Sequence, residues 1–218
     1  MDRMEAKLFP EPSRLKNAWN VLEQSQPAKS YPKGRMIYLQ GEQADGFFYL
    51  KTGRVKIFLS SESGMEKTLT VLEKGNIFGE AAFFDGMPRV SSAKTLAKSE
   101  IVAVTRASLL SSFSKDPELA MSLLEYLAQT IRMLSAQVDS MAFLQADKRI
   151  ARLLLQLSSE SPASPIPCTH EDLGSLAGTS RVTVSRALNS FQKSGWIQTG
   201  YKAVAVQDRD ALESFASS

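Results

Sequence analysis

From Leu173 to Gln207 the chain carries four basic residues, Arg181, Arg186, Lys193 and Lys202, and no acidic one. Such a stretch projects the local positive field that a polyanion feels, although a solvated face that happens to lack acids has the same composition. Other chemistries are poorly supplied. The single cysteine, Cys168, and the single histidine, His170, leave no internal disulfide framework, no four-cysteine metal or iron–sulfur site and no histidine-rich zinc site. A hydrolytic centre needs a metal cluster or a base–nucleophile pair, so no catalytic and no metal-ligating residue is expected. Cys168 reads as an ordinary loop cysteine and His170 as a phosphate- or solvent-facing side chain.

The basic residues need elements to aim them, and the local signals supply these. Thr169, followed three positions later by Asp172, has the spacing of a capping box with Asp in the usual Glu place. A short helix to Ala177 ends at Gly178, whose freedom at positive φ suits a tight turn. Ser180 then caps a second helix running to about Lys193. Thr183, Val184, Ala187, Leu188 and Phe191 fall on one face of it, and Arg181, Val182, Ser185 and Arg186 lie opposite at its N-terminal end. A recognition helix needs that division between an apolar docking back and base-reading side chains at its start. Downstream, Trp196–Thr199 and Ala203–Val206 flank Gly200-Tyr201-Lys202 as a hairpin wing with a basic tip. The expectation is a winged helix-turn-helix on double-stranded DNA. Arg181, Val182, Ser185 and Arg186 face the bases, while Thr169, Ser180 and Thr183 hold phosphates.

Upstream the pattern changes twice. With 218 residues, 43% hydrophobic and 22% charged, the chain is ordinarily globular and long enough for two cores. Ala120, Leu124, Leu127, Ile131, Leu134, Val138 and Met141 are spaced alternately four and three apart, a heptad stripe on a helix from about Pro117 to Gln145. A stripe so narrow calls for a partner helix, and a second copy of the chain is the economical one, so Leu124, Leu127, Ile131, Leu134, Val138 and Met141 are expected at a homodimer seam. The alternative is a helix packed on its own upstream domain. A second helix runs from Asp147 to about Ser159, before a Pro/Ser-rich break at 159–167, and a short helix is expected near Arg14–Gln24. Between residues 31 and 110, short apolar segments recur about every ten residues with turn residues between them, which predicts a sandwich or small barrel of about eight strands. The domains are therefore read as 1–116, 117–145 and 146–218. No apolar run approaches the roughly 20 residues of a membrane span and no signal sequence opens the chain, so a cytoplasmic location without membrane partners is expected.

GTSRVTVSRALNSFQKSGWI (Gly178–Ile197) resembles the recognition helix of the bacterial Crp/Fnr regulators. SMAFLQADKRIARLLLQL (Ser140–Leu157) resembles their hinge and first DNA-domain helix, and GEQADGFFYLKTGRVKIFL (Gly41–Leu59) is similar to their paired barrel strands. The likeness covers about residues 30–207. It implies an α+β fold: an N-terminal double-stranded β-helix or jelly-roll barrel, a long dimerisation helix and a C-terminal winged helix-turn-helix. FGEAAFFDGMPRVSSA (Phe78–Ala93) looks like the phosphate-binding cassette of cyclic-nucleotide-binding domains. In such a cassette Gly79 permits close approach of a ligand and Arg89 offers a two-pronged donor pair to a cyclic phosphate, while Glu80 accepts from a ribose hydroxyl. A Glu80–Arg89 ion pair that merely pins the loop is the alternative. The resemblance implies a small-molecule effector, with a cAMP-like cyclic nucleotide as the candidate cofactor. The implied ligand set is Phe78, Gly79, Glu80, Ala81, Arg89, Val90 and Ser91, together with Ser135 reaching across the dimer. RNA polymerase is implied as a partner if the protein is an activator.

This sequence departs from the family pattern at three places. Cyclic-AMP receptor proteins have a serine directly after the cassette arginine, where Val90 stands here. Their Thr-Ser pair on the long helix corresponds to Leu134-Ser135, of which only the serine is kept. Members that read a G·C pair at the third half-site position carry a glutamate where this chain has Val182, so an A/T-richer, TTAAT-like half-site in a near-palindromic operator is expected.

Overall fold

In the computed structural model, residues 20–24, 26–62, 64–158 and 165–217 are described. The expected helix at Arg14–Gln24 lies mostly outside them, with only α1 (Asn20–Glu23) inside, as does most of the Pro/Ser-rich break.

The described residues divide into two compact units, one running from Asn20 to Ser60 and from Leu69 to Leu134, the other formed by Ser61–Thr68 and the residues from Ser135 onward. The first holds eight strands: β1 (Lys29–Tyr31), β2 (Met36–Tyr38), β3 (Gly46–Thr52), β4 (Arg54–Ser60), β5 (Glu66–Glu73, whose first residues belong to the second unit), β6 (Ile77–Phe78), β7 (Ser92–Thr95) and β8 (Ser99–Thr105). They form two four-stranded sheets ordered β1-β8-β3-β6 and β2-β7-β4-β5, which is the jelly-roll order expected for this half. Period-two alternation divides β3, β6 and β8 between two cores. In β3, Leu50 and Phe48 meet Tyr38, Ile57, Leu72 and Phe78 between the sheets. Phe47 and Tyr49, one residue out of phase, pack instead with Leu109 of α3 (Arg106–Lys115) and with Leu119, Leu123 and Tyr126 of α4 (Glu118–Phe143). A short helix, α2 (Glu80–Asp85), joins β6 towards β7.

The long helix forms as the heptad pattern predicts, α4 spanning Glu118–Phe143 without interruption. It has two apolar faces. Leu119, Leu123 and Tyr126 are buried against the sheet, with Leu127 half-buried beside them, while Leu124, Ile131, Leu134, Val138 and Met141 stand exposed.

The second unit contains α5 (Ala146–Ser158), β9 (Ile166–Pro167), α6 (His170–Ala177), α7 (Arg181–Lys193), β10 (Ile197–Gly200), β11 (Ala203–Val206) and α8 (Arg209–Ser217). Ile150 and Leu154 of α5, Leu173 of α6, Val184, Leu188 and Phe191 of α7 and Leu212 of α8 close one core. Trp196 and Phe215 seal it on Phe191, with ring centroids 5.7 and 5.5 Å from it. The strands make a three-stranded antiparallel sheet, ordered β10-β11-β9. No described helix is long and apolar enough to cross a membrane.

Candidate effector pocket and DNA-reading face

The first unit encloses a cavity of about 170 Å³, large enough for a small organic molecule rather than a lone water. It is walled by three elements. The strands give Ile57, Leu69, Thr70 and Leu72, and α4 gives Tyr126, Gln129, Thr130, Met133 and Leu134. The third wall is the segment around α2, with Phe78, Gly79, Glu80, Ala81, Arg89, Val90 and Ser91. These seven residues are the ones the cassette pattern singled out, and the fold does bring them to one wall.

Gly79 caps α2 at φ 76°. A Cβ there would lie 2.7 Å from Arg89 Nη1, so both the backbone conformation and the space demand glycine. Arg89 is 6% exposed. Its guanidinium donates through Nη1 to the Gly79 carbonyl and through Nη2 to the Gly46 carbonyl at 2.7 Å. The rings of Tyr38 and Phe48 lie 4.5 and 5.5 Å from it. The partners of Arg89 are thus carbonyls and π-faces, not a Glu80 ion pair. Arg89 Nε is buried with no hydrogen-bond partner among the described residues. A buried donor without an acceptor is costly, and an incoming anion would supply the missing acceptor.

Glu80 is buried too, and burial pushes its carboxyl above the usual carboxylate range, against the opposing pull of a backbone hydrogen bond and of Arg89. Tyr126 donates its phenol to the Ile77 carbonyl at 2.6 Å, tying α4 to the strand that leads into α2. Asn76 donates through Nδ2 to the Glu73 carbonyl at 2.9 Å and leaves a buried Oδ1 unpartnered. Ser135, expected to act across the dimer, is exposed on α4 and is not among the residues lining its own chain's cavity. Sequence reasoning missed Tyr38, Asn76, Tyr126 and Thr130 as cavity residues, because they are spread over strand, turn and helix and share no motif.

In the second unit the helix-turn-helix assembles as its caps predict. The Thr169 hydroxyl accepts from Asp172 N at 3.1 Å, and the Asp172 carboxylate accepts from Thr169 N at 2.8 Å and from the Thr169 hydroxyl at 2.7 Å. Gly178 ends α6 at φ 63°, the left-handed conformation that turns the chain. The Ser180 hydroxyl accepts from Thr183 N at 3.1 Å and pairs with the Thr183 hydroxyl. Val184, Ala187, Leu188 and Phe191 are buried on α7; Arg181, Val182 and Arg186 are exposed and Ser185 is half-exposed. Among the residues assigned to phosphates, Thr169 has its hydroxyl proton committed to Asp172 in this structure. At the wing tip Tyr201 is exposed and Lys202 adopts φ 50°, its carbonyl accepting from Cys168 N at 3.0 Å. Burial, then Asp172, pushes the Cys168 thiol up to about 12, so it is a protonated packing residue at neutral pH.

Residues 28–116 match the family model of the cyclic nucleotide-binding domain, and residues 148–215 match that of the Crp-like helix-turn-helix domain. A CRP-like cAMP-activated global transcriptional regulator of Mycobacterium tuberculosis is 32% identical over 199 residues, covering 88% of each chain. The chain belongs to the Crp/Fnr family. A cyclic AMP receptor protein of Thermus thermophilus is likewise 32% identical over 186 residues, covering 85% of this chain and 86% of that one. The crystal structure of another Crp/Fnr transcriptional regulator from Thermus thermophilus superposes with a TM-score of 0.70 at 25% identity, over 88% of this chain and 98% of that one. The c-di-GMP-responsive regulator CLP of Xanthomonas campestris shares the fold, with a TM-score of 0.79 at 22% identity over 87% of this chain and 98% of that one. As a Crp/Fnr protein with both domains, this chain is a ligand-responsive, DNA-binding transcription regulator.

Proposed function

We propose that this regulator is a homodimer whose DNA affinity is set by a cyclic nucleotide bound against Arg89. The observation that carries the reading is the buried guanidinium with an unpartnered Nε, on the wall of a cavity that α4 also lines. Two relatives at 32% identity are named for cyclic AMP, which makes that nucleotide the first to test. A ligand in the cavity touches the α2 segment and α4 together, so it favours whichever α4 arrangement closes on it, and α4 runs on unbroken to Phe143 at the start of the DNA-binding half. Fluorescence anisotropy of a labelled operator, titrated with and without cyclic AMP and cyclic GMP, tests it. Tighter DNA binding with one nucleotide is expected, and equal affinity with and without both overturns the cyclic-nucleotide assignment.

Dimer geometry sets the operator. Two recognition helices reading successive major grooves require half-sites roughly 34 Å apart, hence a near-palindrome. Arg181 and Arg186 donate to guanine or phosphate and Ser185 bonds either. Val182, 68% exposed at the start of α7, offers only an apolar contact, most naturally to a thymine methyl. The half-site is accordingly TTAAT-like at its third position. Selection from random DNA is expected to enrich A/T there, and Val182→Glu to shift the preference to G·C by about 1–3 kcal/mol through an acceptor for cytosine N4. Enrichment of G·C by the wild-type protein refutes the role given to Val182.

A further inference from the structure

We infer that Tyr38 is a further effector-binding residue of this pocket, its hydroxyl donating to an exocyclic oxygen of the cyclic phosphodiester that Arg89 holds. The inference rests on the cyclic-nucleotide reading and adds to it a residue that the cassette pattern does not contain.

A phosphodiester carries its charge on two exocyclic oxygens with more lone pairs than one guanidinium can satisfy, and each one left bare in a largely apolar cavity is costly. The wall beside Arg89 is short of donors. Val90 and Ala81 are apolar, Glu80 is itself an acceptor when ionised, and Gly79 offers only backbone. Tyr38 and Ser91 are the hydroxyls next to the arginine.

The position of Tyr38 is set tightly. It is 5% exposed, lines the cavity, and lays its ring 4.5 Å from the Arg89 guanidinium. A Cβ on Gly79 would come 3.1 Å from its Cε1, so the hydroxyl-bearing end of the ring lies against the backbone that the ligand must approach. Stacking on Phe48 at 5.8 Å and Phe78 at 6.2 Å fixes the ring without using the hydroxyl. Ser91, buried on the same wall, brings a second hydroxyl to the neighbourhood of Arg89. Burial, then the nearby Glu80, holds the phenol above its ordinary pKa, which keeps it protonated and able to donate.

The test measures calorimetric affinity of wild type and Tyr38→Phe for cyclic AMP and for its two diastereomeric phosphorothioates, in which sulfur replaces one or the other exocyclic oxygen. Phenylalanine keeps the ring and its stacking, so the melting temperature is expected to be retained. The expected result is about tenfold weaker cyclic AMP binding by Tyr38→Phe, together with loss of the preference that wild type shows between the two phosphorothioates. Affinity unchanged in Tyr38→Phe overturns the inference while leaving the cyclic-nucleotide reading standing. Weaker binding with an unchanged phosphorothioate preference also overturns it, since that pattern marks a structural role. If the wild-type protein binds none of the three at millimolar concentration, the cyclic-nucleotide reading itself falls and takes this assignment with it.

Discussion

Arg89→Leu is expected to abolish the response of DNA affinity to cyclic nucleotide. The substitution removes the one cation among the described residues of the cavity wall, and with it the unpartnered Nε donor that a cyclic phosphate would engage. A hydrogen bond to a charged group is worth about 1.5–3 kcal/mol, so losing it weakens effector binding at least about tenfold. The same side chain serves the fold, since the Gly46 and Gly79 carbonyls lose their donor. Two under-satisfied buried carbonyls cost about 1–3 kcal/mol each, which predicts a melting temperature lower by several degrees in a chain of this size. Glu80→Ala separates the two effects, because both carbonyl partners of Arg89 stay in place; it is expected to remove the effector response at little cost in stability. Non-specific DNA binding, which depends on the basic face of the second unit, is expected to survive both changes. Thermal melting, calorimetry with cyclic AMP and operator anisotropy read the three quantities on one preparation. An Arg89→Leu protein whose operator affinity still rises with nucleotide refutes the pocket as sensor.

Ile131→Asp is expected to dissociate the dimer. Ile131 is 64% exposed on a single chain, one turn from Leu127 and midway along the heptad stripe. In a homodimer seam the substitution buries an unpaired carboxylate on each of two facing helices. Desolvation on that scale costs several kcal/mol, and every 1.4 kcal/mol is tenfold in the dissociation constant, so a rise of at least about a thousandfold in that constant is expected. The protomer itself is expected to fold normally, because the side chain touches none of the buried clusters. Leu123→Asp gives the contrast. Leu123 lies on the adjoining, buried face of the same helix, and its replacement is expected to unfold the first unit rather than merely split the dimer. Sedimentation velocity across a concentration series, paired with thermal melting, distinguishes the two. Ile131→Asp remaining as dimeric as wild type removes the seam from this face of α4.

The helix-turn-helix was legible in the residues because its determinants are local. A capping box needs only Thr169 and Asp172 three positions apart, a left-handed turn needs Gly178, and the apolar back of α7 follows from 3.6-residue periodicity. A half of about eight strands was legible for the same reason, although β1, β6 and β7, which are short or polar, carry no apolar run to place them; the uninterrupted α4 with its heptad stripe was legible too. Periodicity also placed Leu127 on that stripe, but only packing shows it half-buried against the sheet, since a helix with apolar residues on two sides does not declare which side faces which neighbour.

The pocket was legible only in part. A contiguous motif exposed Gly79, Glu80 and Arg89, because ligand contacts clustered on one loop leave a pattern along the chain. Tyr38 from β2, Asn76 from the turn before β6, and Tyr126 and Thr130 from α4 meet that loop only after strands far apart in sequence have paired, β2 with β7 and β3 with both β6 and β8. The sequence determined only that an arginine follows the Gly79-Glu80 pair in the spacing of the cassette. Tertiary structure alone decided that its guanidinium is held between two aromatic rings and two backbone carbonyls, leaving one buried N–H without a partner, because those neighbours come from β2, from β3 and from the glycine before α2, which are far apart along the chain.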